Sequence, residues 1–148
     1  MIVRIPSIEL CWGAAMKTVR KIVIAALVFV SFTAIVGAVP LILYPSDRPW
    51  GYMSQSMLQY SPFHSFLIPG IILLLANGVL SLLVLYLTVQ QRPLYGGWVA
   101  CQGGVLAGWI IVEVMMLRVM IWAHYLYLVV GLVLIVSGIA LTRGKREA

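Results

Sequence analysis

Apolar residues dominate four long stretches of the chain, which cover about 22–43, 66–89, 98–118 and 122–142. A helix of about 20 apolar residues is long enough to cross the ~30 Å hydrocarbon core of a bilayer. The run from Trp98 to Leu141 would form a helix of about 66 Å if it were unbroken, so it must contain a turn. The pattern therefore predicts an all-α integral membrane protein, a four-helix transmembrane bundle that forms one domain over residues 1–148.

The polar segments mark the ends of these spans. Residues 44–65 form an aromatic-rich outer loop, and we expect the last turn near Arg118–Ile121. Residues 1–15 differ from the rest and are interpreted as a non-native or disordered extension, with Met16 as an alternative start of translation. The basic run after Met16 also resembles a signal peptide, but its apolar stretch exceeds the usual 7–15 residues, which favours a retained span.

Composition and charge agree with a membrane location. The chain is 63% hydrophobic and 9% charged, whereas soluble domains carry about a quarter charged residues. Positive residues collect on the cytoplasmic side of membrane proteins, and the predicted spans divide them eight to two. The eight are Arg4, Lys17, Arg20, Lys21, Arg92, Arg143, Lys145 and Arg146, and the two are Arg48 and Arg118. We therefore expect both termini in the cytoplasm and a multi-pass protein of the inner (plasma) membrane.

Small residues in the third span predict where helices pack. Gly97, Cys101, Gly104 and Gly108 follow one another at intervals of four, three and four. Small side chains let helices approach closely in a bilayer, where the hydrophobic effect does not drive association. We expect this stripe to contact another span of the same chain, with homo-oligomerisation as the alternative.

Glu113 is the first candidate for chemistry because it is the one acidic residue within a predicted span. Ionisable groups at membrane depth are costly and usually mark a pair, a pathway or a site. Trp109 shares its helix face, whereas Arg118 lies about 140° around the helix, which argues against a Glu113–Arg118 ion pair. Together with His124 and with Asn77 of the second span, these residues outline a possible outer-leaflet pocket. The alternative is that Glu113 and Asn77 make only structural hydrogen bonds between helices.

Other classes of function have less support. His64 and His124 fall at outer helix ends and could in principle act as axial ligands of a b-type haem. Serine-hydrolase, zinc-protease and phosphate-loop signatures are absent, so we expect no enzyme, no cofactor and no metal site. Basic residues flank the spans instead of forming a patch, so a nucleic-acid partner is not expected.

Two sets of short motifs carry a resemblance. Ser61-Pro62-Phe63 with Leu67-Ile68-Pro69-Gly70, and Gly108-Trp109-Ile110 with Glu113, resemble a group of small bacterial four-span inner-membrane proteins with no assigned activity. The resemblance covers roughly residues 20–142 and implies four spans in a bacterial inner membrane. It transfers no functional residue.

The sequence favours a small non-enzymatic membrane protein with a structural, accessory or partner-binding role. Its expected partners are the lipid bilayer and either a membrane protein or a second copy of the chain. The alternative is a protein that binds or transports a lipid, a quinone or another small amphiphile in the pocket around Glu113.

Overall fold

A computed structural model describes residues 6–46 and 58–144, with side chains described from residue 13 onward. Four helices make up nearly all of this part of the chain, and it contains no strand: α1 (Pro6–Leu43), α2 (Leu67–Val89), α3 (Tyr95–Leu117) and α4 (Trp122–Gly144). Residues Gly13–Leu43 of α1 and the whole of the other three helices are long and apolar enough to cross a membrane. The all-helical architecture is confirmed for this part of the chain, as are four helices long and apolar enough to span a membrane.

The first helix begins earlier than its apolar run. It includes every residue from Pro6 to Leu43, so the disorder considered for residues 1–15 is wrong from Pro6 onward. Proline is favoured in the first turn of a helix, and Ala14, Ala15 and Met16 have high helix propensity. Nothing in this stretch would end the helix, so it continues beyond the apolar region.

The second helix begins later than its capping signal suggests. We expect Ser61 to cap α2 with Pro62 in the first turn, but the helix starts at Leu67. The Ser61 hydroxyl instead accepts a hydrogen bond from the backbone N–H of Phe63 at 3.0 Å, which is a local turn. Residues Leu74–Val79, in the middle of α2, form a π-helical segment.

Short connections join the last three helices. A turn follows Val89 and leads to α3 at Tyr95, and residues 118–121 connect α3 to α4. Arg118 adopts a left-handed backbone conformation with φ of 50°, which ends α3. The predicted turn near Arg118–Ile121 is confirmed.

The pair α3 and α4 shares an extensive interface, matched in extent by that of α1 and α2. A Cβ atom at Gly103 would lie 2.5 Å from the carbonyl oxygen of Gly131, and one at Gly96 would lie 2.9 Å from that of Gly138. Only glycine allows backbones to approach so closely. The contact column of α3 therefore contains Gly96, Ala100, Gly103 and Ala107.

The predicted packing stripe is displaced from this contact column by one residue. Cys101 is exposed, and a Cβ at Gly97, Gly104 or Gly108 would meet no atom within 4 Å. The intrachain contact expected for these four residues is wrong. Adjacent glycines at 96–97 and 103–104 create two neighbouring columns of small residues about 100° apart, and spacing alone does not distinguish them.

Two apolar clusters hold the ends of the bundle. At the end where α2 connects to α3, buried side chains from all four helices pack together around Leu27, Val84, Val99 and Leu134. At the opposite end, hereafter the loop end, Leu41, Leu58 and Phe66 form a second cluster. Part of the interior between these clusters is unfilled.

Candidate ligand-binding site between the four spans

A cavity of about 180 Å³ extends from the loop end into the bundle. All four helices and the α3–α4 turn contribute to its lining, which is mostly apolar. The lining consists of Val30, Thr33, Ala34, Gly37, Leu73, Asn77, Leu106, Trp109, Ile110, Glu113, Ile121, Ala123, His124 and Tyr127. We call it the loop-end cavity.

Two residues that line the loop-end cavity, Gly37 of α1 and Ile121 of the α3–α4 turn, are also exposed on the surface of the bundle. Gly37 lies within the apolar stretch Gly13–Leu43, so its exposed side would face acyl chains in a bilayer.

Glu113 lies on α3 one turn from the loop end of the bundle. Its side chain is 27% exposed, and the indole N–H of Trp109, one turn earlier on the same helix, is directed at the carboxyl group. The imidazole Nε2 of His124 lies 4.0 Å from Glu113 Oε2. The structure thus brings together three of the residues that the sequence proposes for the site.

The start of α4 fixes the orientation of His124. The backbone N–H of Ile121 donates to His124 Nδ1 at 3.1 Å, while the backbone N–H of His124 donates to the Ile121 carbonyl at 3.0 Å. This exchange resembles a capping box, in which a side chain in the first turn satisfies an otherwise free backbone donor. Because Nδ1 acts as an acceptor, a neutral ring has its proton on Nε2, facing Glu113.

Asn77 lies at the deep end of the loop-end cavity. It is 1% exposed, and neither its amide nitrogen nor its carbonyl oxygen has a hydrogen-bond partner. Counted from the loop-end residues Leu67 and Leu117, Asn77 is about 15 Å deep and Glu113 about 6 Å deep at ~1.5 Å per residue. The polar groups of the cavity are therefore separated by about 9 Å along the bundle.

The π-helical segment around Asn77 makes a further polar contact. The Gln102 side chain of α3 donates from Nε2 to the Ala76 carbonyl at 3.2 Å, but its Oε1 has no partner. Ser81, one turn beyond Asn77, is also fully buried with an unpartnered hydroxyl. Helical distortions of this kind are frequent at functional sites.

Residues of the outer loop cover the side of Glu113 that faces away from the loop-end cavity. Leu58 and Phe66 are both 4% exposed and line a small void of about 30 Å³ that Trp109 and Glu113 also line. Glu113 is thus enclosed between the loop-end cluster and the loop-end cavity.

Two residues proposed from the sequence lie outside the cavity. Arg118 is exposed, and its guanidinium carbon lies 4.6 Å from the ring centroid of Tyr60, so its place in the pocket is wrong. His64 is exposed on the connection before α2, while both ring nitrogens of His124 face groups of its own chain. A cavity of about 180 Å³ also has no room for a porphyrin, so the geometry does not favour the haem alternative.

Sequence reasoning missed the contributions of α1 and part of α4. Tyr127 lies one turn after His124, so helical spacing alone could have placed it on the same face. Its ring stacks on Phe29 of α1 with centroids 5.8 Å apart. Thr33 and Gly37 carry no comparable signal, since their role depends on how α1 docks against the other spans.

Among the residues that the structure describes, no group of three or more His, Cys, Asp or Glu side chains could hold a metal ion. Comparison of the chain with known protein families, curated proteins and solved structures finds no match.

Proposed function

We propose that this protein binds a small amphiphilic molecule from the membrane in the loop-end cavity. The observation that carries the proposal is the side chain of Asn77, which lines the cavity with both polar atoms unpaired. An unsatisfied polar group in a bilayer interior costs several kcal/mol, and this cost disappears when a ligand supplies the missing hydrogen bonds.

The distribution of polar and apolar groups in the cavity supports an amphiphile over a purely apolar or purely polar ligand. Polar side chains occur at its two ends, Glu113 with His124 near the loop end and Asn77 in the bundle interior. Aliphatic residues of α1, α2 and α3 line the space between them. Binding sites for small molecules generally combine apolar walls with a few placed polar groups.

The proposal includes a bacterial inner membrane with both termini in the cytoplasm, so that the cavity opens into the outer leaflet. Its support is the eight-to-two division of lysine and arginine residues between the two sides. A cysteine placed at Tyr60 in a background with both native cysteines replaced (Cys11→Ser and Cys101→Ser) should react with a membrane-impermeant maleimide on intact cells. Labelling that occurs only after the cells are lysed would indicate the opposite orientation, with residue 60 on the cytoplasmic side.

A pair of glycine substitutions tests whether the cavity binds a ligand. Gly37→Leu adds an isobutyl group at the lining of the cavity, where the Cβ itself has room because its nearest neighbour, Leu73 Cδ2, is 3.7 Å away. Gly108→Leu makes the same change on the outward face of α3, where a Cβ meets no atom within 4 Å. Both proteins should fold, but only Gly37→Leu should lose the bound molecule.

Native mass spectrometry of gently solubilised protein provides the measurement. We expect a small-molecule adduct on the wild type and on Gly108→Leu, and a protein without the adduct for Gly37→Leu. In thermal unfolding, added membrane lipid extract should stabilise the wild type and Gly108→Leu but not Gly37→Leu. Equal retention of the adduct by all three proteins would disprove binding in this cavity.

The accessory role predicted from the sequence remains the second candidate. Its support is the outward face of α3, where Gly97, Cys101, Gly104 and Gly108 leave room for a helix of another protein or a second copy. Disulfide cross-linking through Cys101 of a Cys11→Ser variant in membranes tests the second copy, and a chain that stays monomeric under oxidation argues against it.

A further inference from the structure

The polar groups near the loop end of the cavity leave one hydrogen-bonding capacity unused. The indole N–H of Trp109 is directed at the Glu113 carboxyl group, and Nε2 of His124 lies 4.0 Å from its Oε2, so both donors face this group. A carboxylate accepts about four hydrogen bonds, which leaves capacity for another donor. The unused function at this end is therefore the acceptor capacity of the Glu113 carboxyl group.

In the described part of the chain, no lysine or arginine lines the cavity, and Arg118, the nearest arginine in sequence to Glu113, lies against Tyr60. The Nδ1 atom of His124 accepts the N–H of Ile121, so this side of the ring does not face the ligand space as a donor. A carboxylate in such a place is stabilised most by a cation that arrives with the ligand.

Aromatic rings add to the attraction for a cation. Trp109 and Tyr127 both line the cavity, and the stacking of Tyr127 on Phe29 holds its ring in place. The face of an aromatic ring attracts an ammonium group, most strongly where water is excluded. Indole and phenol rings thus accompany the carboxylate in the same cavity.

From these features we infer that the ligand is a cationic amphiphile, a protonated amine on an apolar body about one ring in size, with its ammonium group on Glu113. The inference rests on the proposed ligand-binding function and specifies its ligand class. Size agrees, because an apolar cavity of about 150 Å³ holds benzene and this one has about 180 Å³. A neutral quinone head accepts hydrogen bonds, so it would need the donors of Trp109 and His124, which face Glu113 instead.

Two probes of nearly equal size separate charge from shape. Benzylamine is protonated at neutral pH, whereas benzyl alcohol has the same ring with a neutral polar group. Binding of each is measured by ligand-observed NMR on the protein in nanodiscs. Nanodiscs with the Gly37→Leu variant give the signal that comes from partitioning of the probe into lipid, which is subtracted. The wild type should bind benzylammonium about tenfold or more tightly than benzyl alcohol, since a hydrogen bond to a charged partner exceeds a neutral one.

The isosteric variant Glu113→Gln removes the charge. It should lose the preference for benzylammonium and still bind benzyl alcohol, because the hydroxyl can donate to the amide oxygen in place of the carboxylate. Retained binding of benzyl alcohol also shows that the variant is folded. Where Glu113→Gln does not fold, the comparison of the two probes on the wild type decides the question alone.

The outcomes distinguish this inference from the function on which it rests. Equal or tighter binding of benzyl alcohol by the wild type overturns the cationic ligand and leaves the cavity a binding site for neutral molecules. An unchanged benzylammonium preference in Glu113→Gln places the ammonium group elsewhere and also overturns the inference. Failure of both probes to bind the wild type above the Gly37→Leu background overturns the binding function together with the inference.

Discussion

The imidazole of His124 connects the start of α4 to Glu113 of α3. Nδ1 accepts the backbone N–H of Ile121 at 3.1 Å, and Nε2 lies 4.0 Å from Glu113 Oε2. The ring is 5% exposed, so water does not readily replace either contact. A residue that caps a helix thus also orients a hydrogen-bond donor toward the one acidic side chain of the described spans.

Substitutions at His124 should separate these two contacts. His124→Asn places its carbonyl oxygen near the position of Nδ1, so it should keep the bond from Ile121 and lose the contact with Glu113. His124→Leu loses both and leaves the part-buried Ile121 N–H without its side-chain partner, which costs about 0.5–2 kcal/mol, as for the loss of a helix cap. We expect chemical unfolding in detergent to show a larger destabilisation for leucine than for asparagine. Hydrogen exchange at the Ile121 amide should accelerate only in the leucine variant, and equal exchange in both would disprove the capping role.

Asn77 should show opposite effects on stability and on binding. Asn77→Leu keeps the approximate shape of the side chain and removes two polar atoms that have no partner. The ligand-free protein should gain about 1–3 kcal/mol of unfolding free energy, because an unsatisfied buried amide is removed. The same variant should lose the stabilisation that added ligand or lipid extract gives the wild type. A variant less stable than the wild type in the absence of ligand would show that Asn77 has a hydrogen-bond partner in the protein.

The sequence predicts the spans well because each is a continuous apolar run and each end has a local signal. The turn at residues 118–121 is an example, since the polar Arg118 interrupts a long apolar stretch there. The start of α2 is predicted less well. Ser61 and Pro62 have the residue types of a helix start, but a local turn uses the serine hydroxyl, and the helix begins at Leu67.

The sequence predicts part of the site, and the signal it uses differs from the one that predicts the helices. Glu113, Trp109, His124 and Asn77 are recognisable because polar groups inside an apolar run need partners, and they do line one cavity. Arg118 does not line it, because the left-handed backbone at this residue ends the helix and its side chain lies over Tyr60. Contacts between helices depend on their rotation about their axes, which a period of 3.6 residues does not fix.

The contact of Arg118 with Tyr60 should hold the outer loop to the α3–α4 turn. The guanidinium carbon lies 4.6 Å from the ring centroid, and both side chains are exposed, so the contact contributes about 0.5–1 kcal/mol. Arg118→Gln should therefore change global stability by less than about 1 kcal/mol, but increase the rate of proteolysis within the loop. Arg118→Lys keeps the charge and should lie between the wild type and glutamine. Identical proteolysis of all three proteins would show that the contact does not order the loop.

Adjacent glycines of α3 should respond in opposite ways to the same substitution. A Cβ at Gly103 would lie 2.5 Å from the Gly131 carbonyl oxygen and 2.8 Å from the backbone nitrogen of Ile135. These are backbone atoms, so the helices must separate, and overpacking of this kind costs about 1–3 kcal/mol. At Gly104 a Cβ meets no atom within 4 Å, and alanine favours a helix over glycine by about 1 kcal/mol.

Gly103→Ala should therefore destabilise the protein, while Gly104→Ala should be neutral or slightly stabilising. The measurement is reversible unfolding in mixed micelles at a protein concentration low enough to exclude association. Repeating it at high protein concentration extends the test to the outward face, because a loss of stability in Gly104→Ala that appears only there would reveal a contact between chains. Equal destabilisation by both substitutions at low concentration would mean that α3 is rotated by about 100° from the position described, with its outward column of small residues packed against α4.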